Sequence, residues 1–485
     1  MKTFLFFVLL LAFAPMGYSQ TLTSRIVDGQ TGEAVPFATI VTGVNKGTIS
    51  NEEGYFSLEA GGLDSGNVRI SCMGYETLDI PAASLGENEI LRLNPAAIRL
   101  NEVRIGERIP DADEIIRKVI ENIPINYSLD ERNYTFFYRE SDYMNWEQLD
   151  LEVEKDSELG KEQLEKAREE LNALGRYITD SNPVSFFDFN GVYRDLKDTS
   201  LIWVDRATEL VDAKNDFTMD KLQERAQKIV LSHLDTTQTY KVKTGIITVE
   251  DSISMSDEMR QSDDGDSIST KSLNRRISDV LELAGFENEN RLGDFLNADL
   301  YRYELLKPTY FNGYYVYAVQ FSPRKRKARF GGTLYIDATS FAVLKTDYQY
   351  AKGRTGQSVN LKLLLGVKYI ENMDRGTMIF QADDSGKYHP YYIQKEYGNY
   401  VYLHRSLKFI ENSASRKKVL FDFLLEGGVR EKESILIRPS IPLDTQASEG
   451  DILVQKLDSY QPTIWQDTEI IAPLEEMKNF KIVND

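Results

Sequence analysis

The sequence predicts a mainly β protein with helices (α+β), in which an N-terminal β-sandwich precedes a helix-backed, curled antiparallel β-meander. Three observations lead to this prediction. Residues 20–100 consist of short alternating runs between turn residues, which is typical of small sandwiches. Residues 101–299 carry helical periodicity, and residues 300–485 carry long, tyrosine-rich alternating runs. At 485 residues the chain exceeds the usual size of one domain, so two or three domains are expected.

Residues 1–19 have the layout of a secretory signal peptide. Lys2 supplies the positive start, an apolar run extends from Phe4 to Ala14, and Gly17 and Ser19 are small residues at the cleavage-site spacing. We therefore expect secretion across the inner membrane, and a mature chain in the periplasm or at the periplasmic face of the outer membrane. No later run approaches the ~20 apolar residues of a transmembrane helix, so none is expected.

The β-sandwich is predicted over residues 20–100. Within it, the stretch "GTISNEEGYFSLEA" predicts two short strands joined by a tight turn at Asn51–Gly54. Glu52 and Glu53 are then solvated carboxylates at the turn tip. Cys72, the only cysteine of the chain, is expected to be a small buried strand residue.

The same region resembles the carboxypeptidase-like regulatory domain, a transthyretin-like sandwich of exported Bacteroidota proteins that also precedes the plug of many TonB-dependent transporters. The ordered positions that carry the resemblance are Asp28, Gly32, Pro36, Ala38, Gly47, Gly54, Phe56, Gly74 and Tyr75. Asn51 stands where the family more often has Asp, and both residues suit the first position of a turn. The resemblance implies an outer-membrane or transporter complex as a candidate partner. It does not imply a peptidase, because no His-x-x-Glu pair is present.

Residues 101–299 are predicted to be a helix-rich segment. Asp111 and Glu114 form a plausible capping pair for a first helix that Pro124 stops. The charged run at 152–178 predicts a second, solvated helix, and residues 216–234 predict a third, whose His233 is expected in the core. A disordered acidic loop is predicted at 250–271, where Asp-Ser-Ile triplets also resemble O-glycosylation sites.

Residues 300–485 are predicted to form the antiparallel β-meander, packed against the helices of 101–299. The run from "YFNGYYVYAVQFSP" through "GGTLYIDATSFAVLKTDYQY" resembles, more weakly, the half-barrel of lipoprotein-carrier proteins. That resemblance implies an apolar groove beneath a helical lid, and it assigns no functional residue. The basic run Pro323–Gly332 is expected to be a solvated hairpin tip.

Composition and motifs narrow the range of functions that the chain could have. The formal net charge of −19 disfavours nucleic acid and anionic lipid surfaces as partners, because both are polyanions. Nucleophile-elbow, phosphate-loop, zinc and Cys-x-x-Cys motifs are absent from the sequence, so no catalytic residue, cofactor or metal is predicted. The aromatic stretch Ser185–Leu196 is expected to pack in a core or sheet.

The preferred hypothesis is a noncatalytic exported cell-envelope protein that binds an apolar or polymeric ligand, a lipid or a glycan, or an outer-membrane partner. One alternative is an envelope hydrolase that acts on peptide or glycan through carboxylates, and another is an outer-membrane β-barrel component. Two carboxylates facing one another across a polar cleft would favour the hydrolase. An apolar groove under a helix would favour the carrier.

Overall fold

The computed structural model describes most of the chain in fourteen stretches. They are residues 21–43, 45–59, 66–96, 110–128, 132–157, 160–181, 183–196, 199–211, 238–244, 247–254, 267–287, 289–440, 446–466 and 468–480. The chain divides into two compact units. The first comprises Met1–Ala97, Tyr310–Gly313 and Gln461–Glu475, and the second comprises Ile98–Thr309, Tyr314–Tyr460 and Glu476–Asp485. The predicted signal peptide and His233 lie outside the described residues.

The first unit contains a small sandwich of two sheets. Its strands are β1 Thr21–Asp28, β2 Thr39–Gly43, β3 Lys46–Ile49, β4 Tyr55–Glu59, β5 Asn67–Ser71, β6 Leu78–Pro81 and β7 Ile90–Leu93. One sheet has the order β4-β1-β7 and the other has the order β3-β2-β5-β6. Ile26, Ile40, Phe56 and Ile70 are fully buried in a shared core, which confirms the predicted sandwich.

The predicted turn at Asn51–Gly54 binds the C-terminal segment of the same unit. The Asn51 carboxamide oxygen accepts bonds from the amides of Glu53 and Tyr55, both at 2.9 Å, which closes the turn. Its nitrogen donates to the carbonyl oxygens of Ala472 and Pro473. Asn and Asp are therefore not equivalent here, because Asp has no donor for these carbonyls.

The solvated-carboxylate prediction fails for Glu53 at this turn. Its Oε2 accepts the amide of Glu475 at 2.9 Å, so Glu53 helps to hold the C-terminal segment. The sequence placed residues 461–475 with the meander, whereas they pack within the first unit.

The second unit contains one large sheet and a separate two-stranded sheet. Its strands are β8 Arg132–Asp156, β9 Val184–Asp195, β10 Ser200–Leu210, β11 Thr239–Thr244, β12 Ile247–Ser254, β13 Ser267–Ser269, β14 Tyr301–Leu305, β15 Thr309–Phe311, β16 Tyr314–Pro323, β17 Phe330–Asp337, β18 Val343–Tyr350, β19 Ser358–Leu361, β20 Val367–Ala382, β21 Tyr388–Glu411, β22 Lys418–Pro439, β23 Asp451–Leu453 and β24 Gln455–Leu457. Strands β13 and β23 form the two-stranded sheet. The main path of the large sheet runs β14-β16-β17-β18-β20-β21-β22-β8-β9-β10-β24. All its pairings are antiparallel except that of β10 with β24.

Six helices accompany these strands among the described residues. They are α1 Ala112–Asn126, α2 Lys161–Ser181, α3 Thr270–Glu282, α4 Arg291–Phe295, α5 Lys362–Leu365 and α6 Glu475–Lys478. The Asp111 carboxylate accepts the Glu114 amide at 2.8 Å, so the predicted N-cap of α1 is confirmed. Pro124 does not stop this helix, which continues to Asn126. In the part of the chain that the structure describes, no helix has the length and apolar character needed to cross a membrane.

Residues 101–299 contribute more strand than the sequence indicated. The 25-residue strand β8 lies between β22 and β9, and it occupies the first part of the run predicted as a solvated helix. The helix itself begins at Lys161. Charged residues recur along β8, and the prediction from the sequence took this charged composition as that of a solvated helix.

The acidic loop predicted at 250–271 is ordered at both ends. Strand β12 continues to Ser254, β13 begins at Ser267 and α3 begins at Thr270. Within the predicted meander, the run "VNLKLLLGVKYIEN" at 359–372 is expected to form one strand, but α5 and Gly366 divide it into β19 and β20. Gly366 adopts φ +62°, a left-handed conformation that ends the helical turn.

Candidate functional site

Helices α2 and α3 both contact side chains on one face of strand β8. Along β8, Glu140, Asp142 and Met144 alternate onto the same face. Arg276 of α3 pairs with Glu140 at one end of this series. At the other end, Ile178 of α2 packs with Met144. Between the contacts of these two helices, the same face of β8 presents the carboxylates of Glu140 and Asp142.

Four carboxylates from two neighbouring strands form what we call the carboxylate cluster: Glu140, Asp142, Glu431 and Glu433. Asp142 lies directly opposite Glu431, and Glu140 lies directly opposite Glu433, across β8 and β22. One carboxylate oxygen from each of Glu140, Glu431 and Glu433 lies within 4.8 Å of the others. The strand register thus brings together acids that are about 290 positions apart.

Two members of the cluster are satisfied by neighbouring side chains. The Tyr138 hydroxyl lies 2.6 Å from Oε1 of Glu433 and 3.1 Å from Oε2 of Glu140. Lys395 Nζ lies 3.3 Å from Glu433, and Arg276 pairs with Glu140. Arg276 also lies over the Phe187 ring at 5.3 Å. Because two cations already balance two of the carboxylates, we assign these groups to an ion-pair network.

Asp142 and Glu431 differ from those two acids. No hydrogen bond or ion pair from any described residue engages either carboxylate. Burial, reinforced by repulsion from Glu140 and Glu431, raises the pKa of Asp142 to about 8. Burial, reinforced by repulsion from Glu140 and Glu433, raises the pKa of Glu431 to about 7. At neutral pH this facing pair therefore holds a proton.

Half-buried tyrosines continue this face beyond the carboxylates. Tyr397 on β21 lies directly opposite Glu431, and its hydroxyl is 2.7 Å from that of Tyr369. The Tyr350 ring stacks on Phe330 with 5.0 Å between centroids. We call Tyr350, Tyr369 and Tyr397 the tyrosine edge. Burial, followed by the bond to Tyr369, raises the pKa of Tyr397.

Arg291 of α4 ties the helices to the strands beside the tyrosine edge. Its guanidinium is 2.9 Å from the Asp374 carboxylate and lies over the rings of Phe330 and Tyr348, 4.1 and 5.0 Å from their centroids. Asp374 faces Tyr397 across β20 and β21. This contact fixes one border of the half-exposed surface.

Carboxylates beside half-exposed aromatic rings are suited to ligand binding. The rings offer flat apolar faces, and the acids accept hydrogen bonds from hydroxyl, amide and ammonium groups. Two neighbouring carboxyls whose pKa values are raised towards neutral pH also have the composition of a general acid and base pair. Asp142 and Glu431 are neighbours on adjacent strands of one sheet, whereas the criterion for the hydrolase alternative is two carboxylates facing one another across a polar cleft.

Sequence reasoning named no residue of this site. Each strand contributes two acids at positions i and i+2, a spacing that many solvated strands share. The one available signal in the sequence is a large side chain beside each pair of acids, Tyr138 before Glu140 and Ile435 after Glu433. Both of these side chains are buried in the structure.

The residues that the sequence did single out lie elsewhere. Cys72 is half-buried against the sandwich core, although a buried residue was expected. His389 is buried and contacts the carbonyl of Pro390, and His404 pairs with Asp422. In the aromatic stretch 185–196, Phe186 and Phe189 are buried, as predicted. The basic run 323–332 connects β16 and β17, and its residues 324–327 are exposed, as predicted for a hairpin tip.

The fold of the first unit is that of a small β-sandwich domain. Residues 22–105 match the family model of the CarboxypepD_reg-like domain, which confirms the predicted resemblance. Comparison with curated proteins and with solved structures finds no match for the chain.

Proposed function

We propose that this chain is a noncatalytic, exported cell-envelope protein that binds a polymeric ligand across the carboxylate cluster and the tyrosine edge. The observation that carries the proposal is the direct opposition of Tyr397 and Glu431 on neighbouring strands. It places an aromatic ring and a carboxylate side by side on one half-exposed surface. Two features support a location in the cell envelope: residues 1–19 have the layout of a secretory signal peptide, and the sandwich matches the CarboxypepD_reg-like domain.

The chemistry of the surface selects the class of polymer. Its side chains span several strands, which suits an extended ligand better than a compact one. Flat rings stack on sugar or peptide planes, and carboxylates bind hydroxyl or ammonium groups. The net charge of −19 opposes polyanions. A neutral or amine-bearing glycan or peptide is therefore the proposed ligand.

A sedimentation assay tests this binding. Residues 20–485 are mixed with insoluble peptidoglycan, with chitosan, which carries amines, or with cellulose, which does not. We expect the chain to sediment with peptidoglycan or chitosan, and Tyr397→Ala to reduce binding at least fivefold. Tyr314→Ala is the matched control, because Tyr314 is 67% exposed on β16 and lies outside the tyrosine edge. Equal binding by both variants would refute the assigned surface.

The proposed location in the cell envelope is tested separately. Fractionation of cells that produce the full chain should place it, shortened by about nineteen residues, in the periplasmic or outer-membrane fraction. Pulldown from envelope extracts then tests for a protein partner. Mass spectrometry of the material that copurifies with the native protein identifies what is bound. A full-length chain in the cytoplasmic fraction would count against export.

Hydrolysis is the second candidate function, and the pair Asp142 and Glu431 specifically favours it. A carboxyl that keeps its proton near neutral pH donates it to a leaving group, while a neighbouring carboxylate activates water. Release of soluble fragments from peptidoglycan or chitosan, lost in Asp142→Asn and in Glu431→Gln, would establish this activity. Stable binding without fragments would support the noncatalytic proposal.

A further inference from the structure

A leucine-rich segment between β18 and β20 is exposed to solvent. All residues from 357 to 365 are exposed, and five of these nine are apolar: Val359, Leu361, Leu363, Leu364 and Leu365. Leu363 is fully exposed and Leu364 is 82% exposed. Contiguous exposed apolar side chains of this kind mark an interaction surface, whereas single exposed leucines are ordinary.

The backbone holds this leucine segment in a defined conformation. Residues 358–361 of β19 pair with residues 367–370 of β20. The helical turn α5 follows β19, and the Gly366 amide donates to the Lys362 carbonyl at 3.0 Å. His404 on β21 donates its amide to the Gly366 carbonyl at 2.8 Å. The leucines are thus presented by an ordered, hydrogen-bonded tip.

Lysines and tyrosines surround the leucine segment. Lys362 Nζ lies 3.5 Å from the centroid of the Tyr402 ring, and Lys368 Nζ lies 4.8 Å from that of Tyr400. Among the described residues, neither lysine forms an ion pair with a carboxylate. Such lysines extend an apolar stem and keep the ammonium group in water.

Three acids near the leucine segment accept hydrogen bonds and keep their negative charge. Glu371 accepts the Gln357 amide at 2.7 Å, Glu426 accepts the Tyr400 hydroxyl, and Asp422 accepts the Ser406 hydroxyl at 2.6 Å. Lys362 lies between the exposed leucines of the segment, and Lys368 follows the segment. The ammonium groups of these two lysines are complementary to lipid phosphates, despite the acidity of the whole chain.

We propose that the leucine segment docks the protein on a phospholipid surface that contains anionic headgroups. Leu363 and Leu364 enter the boundary between headgroups and acyl chains. Lys362 and Lys368 contact the phosphates, and Tyr400 and Tyr402 lie at the polar interface. Leucine, tyrosine and lysine side chains divide in this way between the layers of an interfacial contact. The residues proposed to contact lipid are not those proposed to bind the polymer, although the two surfaces adjoin where Val359 lies opposite Tyr369.

Cosedimentation with vesicles tests the docking. Residues 20–485 are mixed with sucrose-loaded vesicles of phosphatidylethanolamine and phosphatidylglycerol at a ratio of 3:1. We expect the wild type to sediment with them, and the double variant Leu363→Ser/Leu364→Ser to bind at least tenfold more weakly. Lys362→Glu should weaken binding at least threefold, and added salt should weaken the wild type further.

Leu453→Ser is the matched control, because Leu453 is 76% exposed on β23, outside the leucine segment. Its vesicle binding should equal that of the wild type. The thermal unfolding of all variants should also match, since the replaced side chains are in water. Absence of wild-type binding, or an unchanged double variant, would overturn the proposal. So would a wild-type dimer in sedimentation velocity that the double variant loses, because a second copy would then cover the leucines.

Discussion

The side-chain nitrogen of Asn51 lies 3.1 Å from the carbonyl oxygen of Pro473, a residue 422 positions further along the chain. Asn51 is 3% exposed, and the same nitrogen also reaches the carbonyl of Ala472 at 3.3 Å. A turn residue of the sandwich therefore anchors the C-terminal segment. The domain at residues 22–105 consequently extends its packing to residues that no local pattern would assign to it.

We predict that Asn51→Asp destabilises the full chain by about 1–3 kcal/mol. The new carboxylate keeps the acceptor that closes the turn, but it removes the donor that Asn51 offers to the buried carbonyls of Ala472 and Pro473. Urea unfolding of the first unit, followed by tyrosine fluorescence, measures the change. Asn88→Asp in an exposed left-handed turn residue is the control, with an expected change below about 0.5 kcal/mol. Equal stability of both variants would contradict the role of Asn51.

The buried ion pair of Arg139 and Asp188 should be sensitive to removal of one partner. Two parallel bonds of 2.8 and 2.7 Å join them, and the residues are 4% and 1% exposed. Asp188→Asn leaves a buried guanidinium without its counterion, so we expect a loss of about 3–5 kcal/mol. Asp79→Asn breaks the exposed pair with Arg69 and should cost less than about 1 kcal/mol. Guanidinium unfolding compares the two variants.

The carboxylate cluster should make stability fall as the pH rises. Burial and neighbouring acids raise the pKa of Asp142 from 3.8 to about 8 in the folded chain. The folded state therefore holds the proton more tightly, and this contribution is complete below about pH 4 and lost as the pH approaches 8. The slope is about 1.4 kcal/mol per pH unit at most for this group.

Asp142→Asn should flatten this pH dependence, because the amide does not titrate. We expect the variant to be more stable than the wild type by about 1–3 kcal/mol at pH 8, with little difference at pH 4. Urea unfolding across this range provides the measurement. Glu162→Gln on the exposed side of α2 should keep the wild-type slope. An unchanged slope in Asp142→Asn would rule out the raised pKa.

Gly366 should tolerate no side chain. Its φ is +62°, and an added Cβ would lie 2.2 Å from the His404 carbonyl oxygen. Gly386 has φ +77° but nothing within 4 Å of an added Cβ. We expect Gly386→Ala to cost about 1 kcal/mol from the backbone alone, and Gly366→Ala to cost at least about twice as much. Thermal unfolding and proteolysis within residues 357–365 test the difference, and equal effects would exclude the steric contact.

The features predicted correctly from the sequence depend on neighbouring residues. The sandwich strands, the cap at Asp111 and the hairpin tip at 323–332 are each encoded within a few positions. Strand β8 was missed because its alternating charges match a solvated helix as well as a strand. The leucine segment was read as one strand because its apolar run hides the turn at Gly366.

By itself, the sequence determined the short strands of the sandwich, the identity of the N-terminal domain and the absence of known catalytic motifs. Tertiary structure decided which acids meet, since only the antiparallel register of β8 and β22 places Asp142 opposite Glu431. It also decided that residues 461–475 return to the sandwich and that Leu363 is left in water. Local patterns report the periodicity of a strand, but pairing across hundreds of residues depends on the free energy of the whole packed sheet.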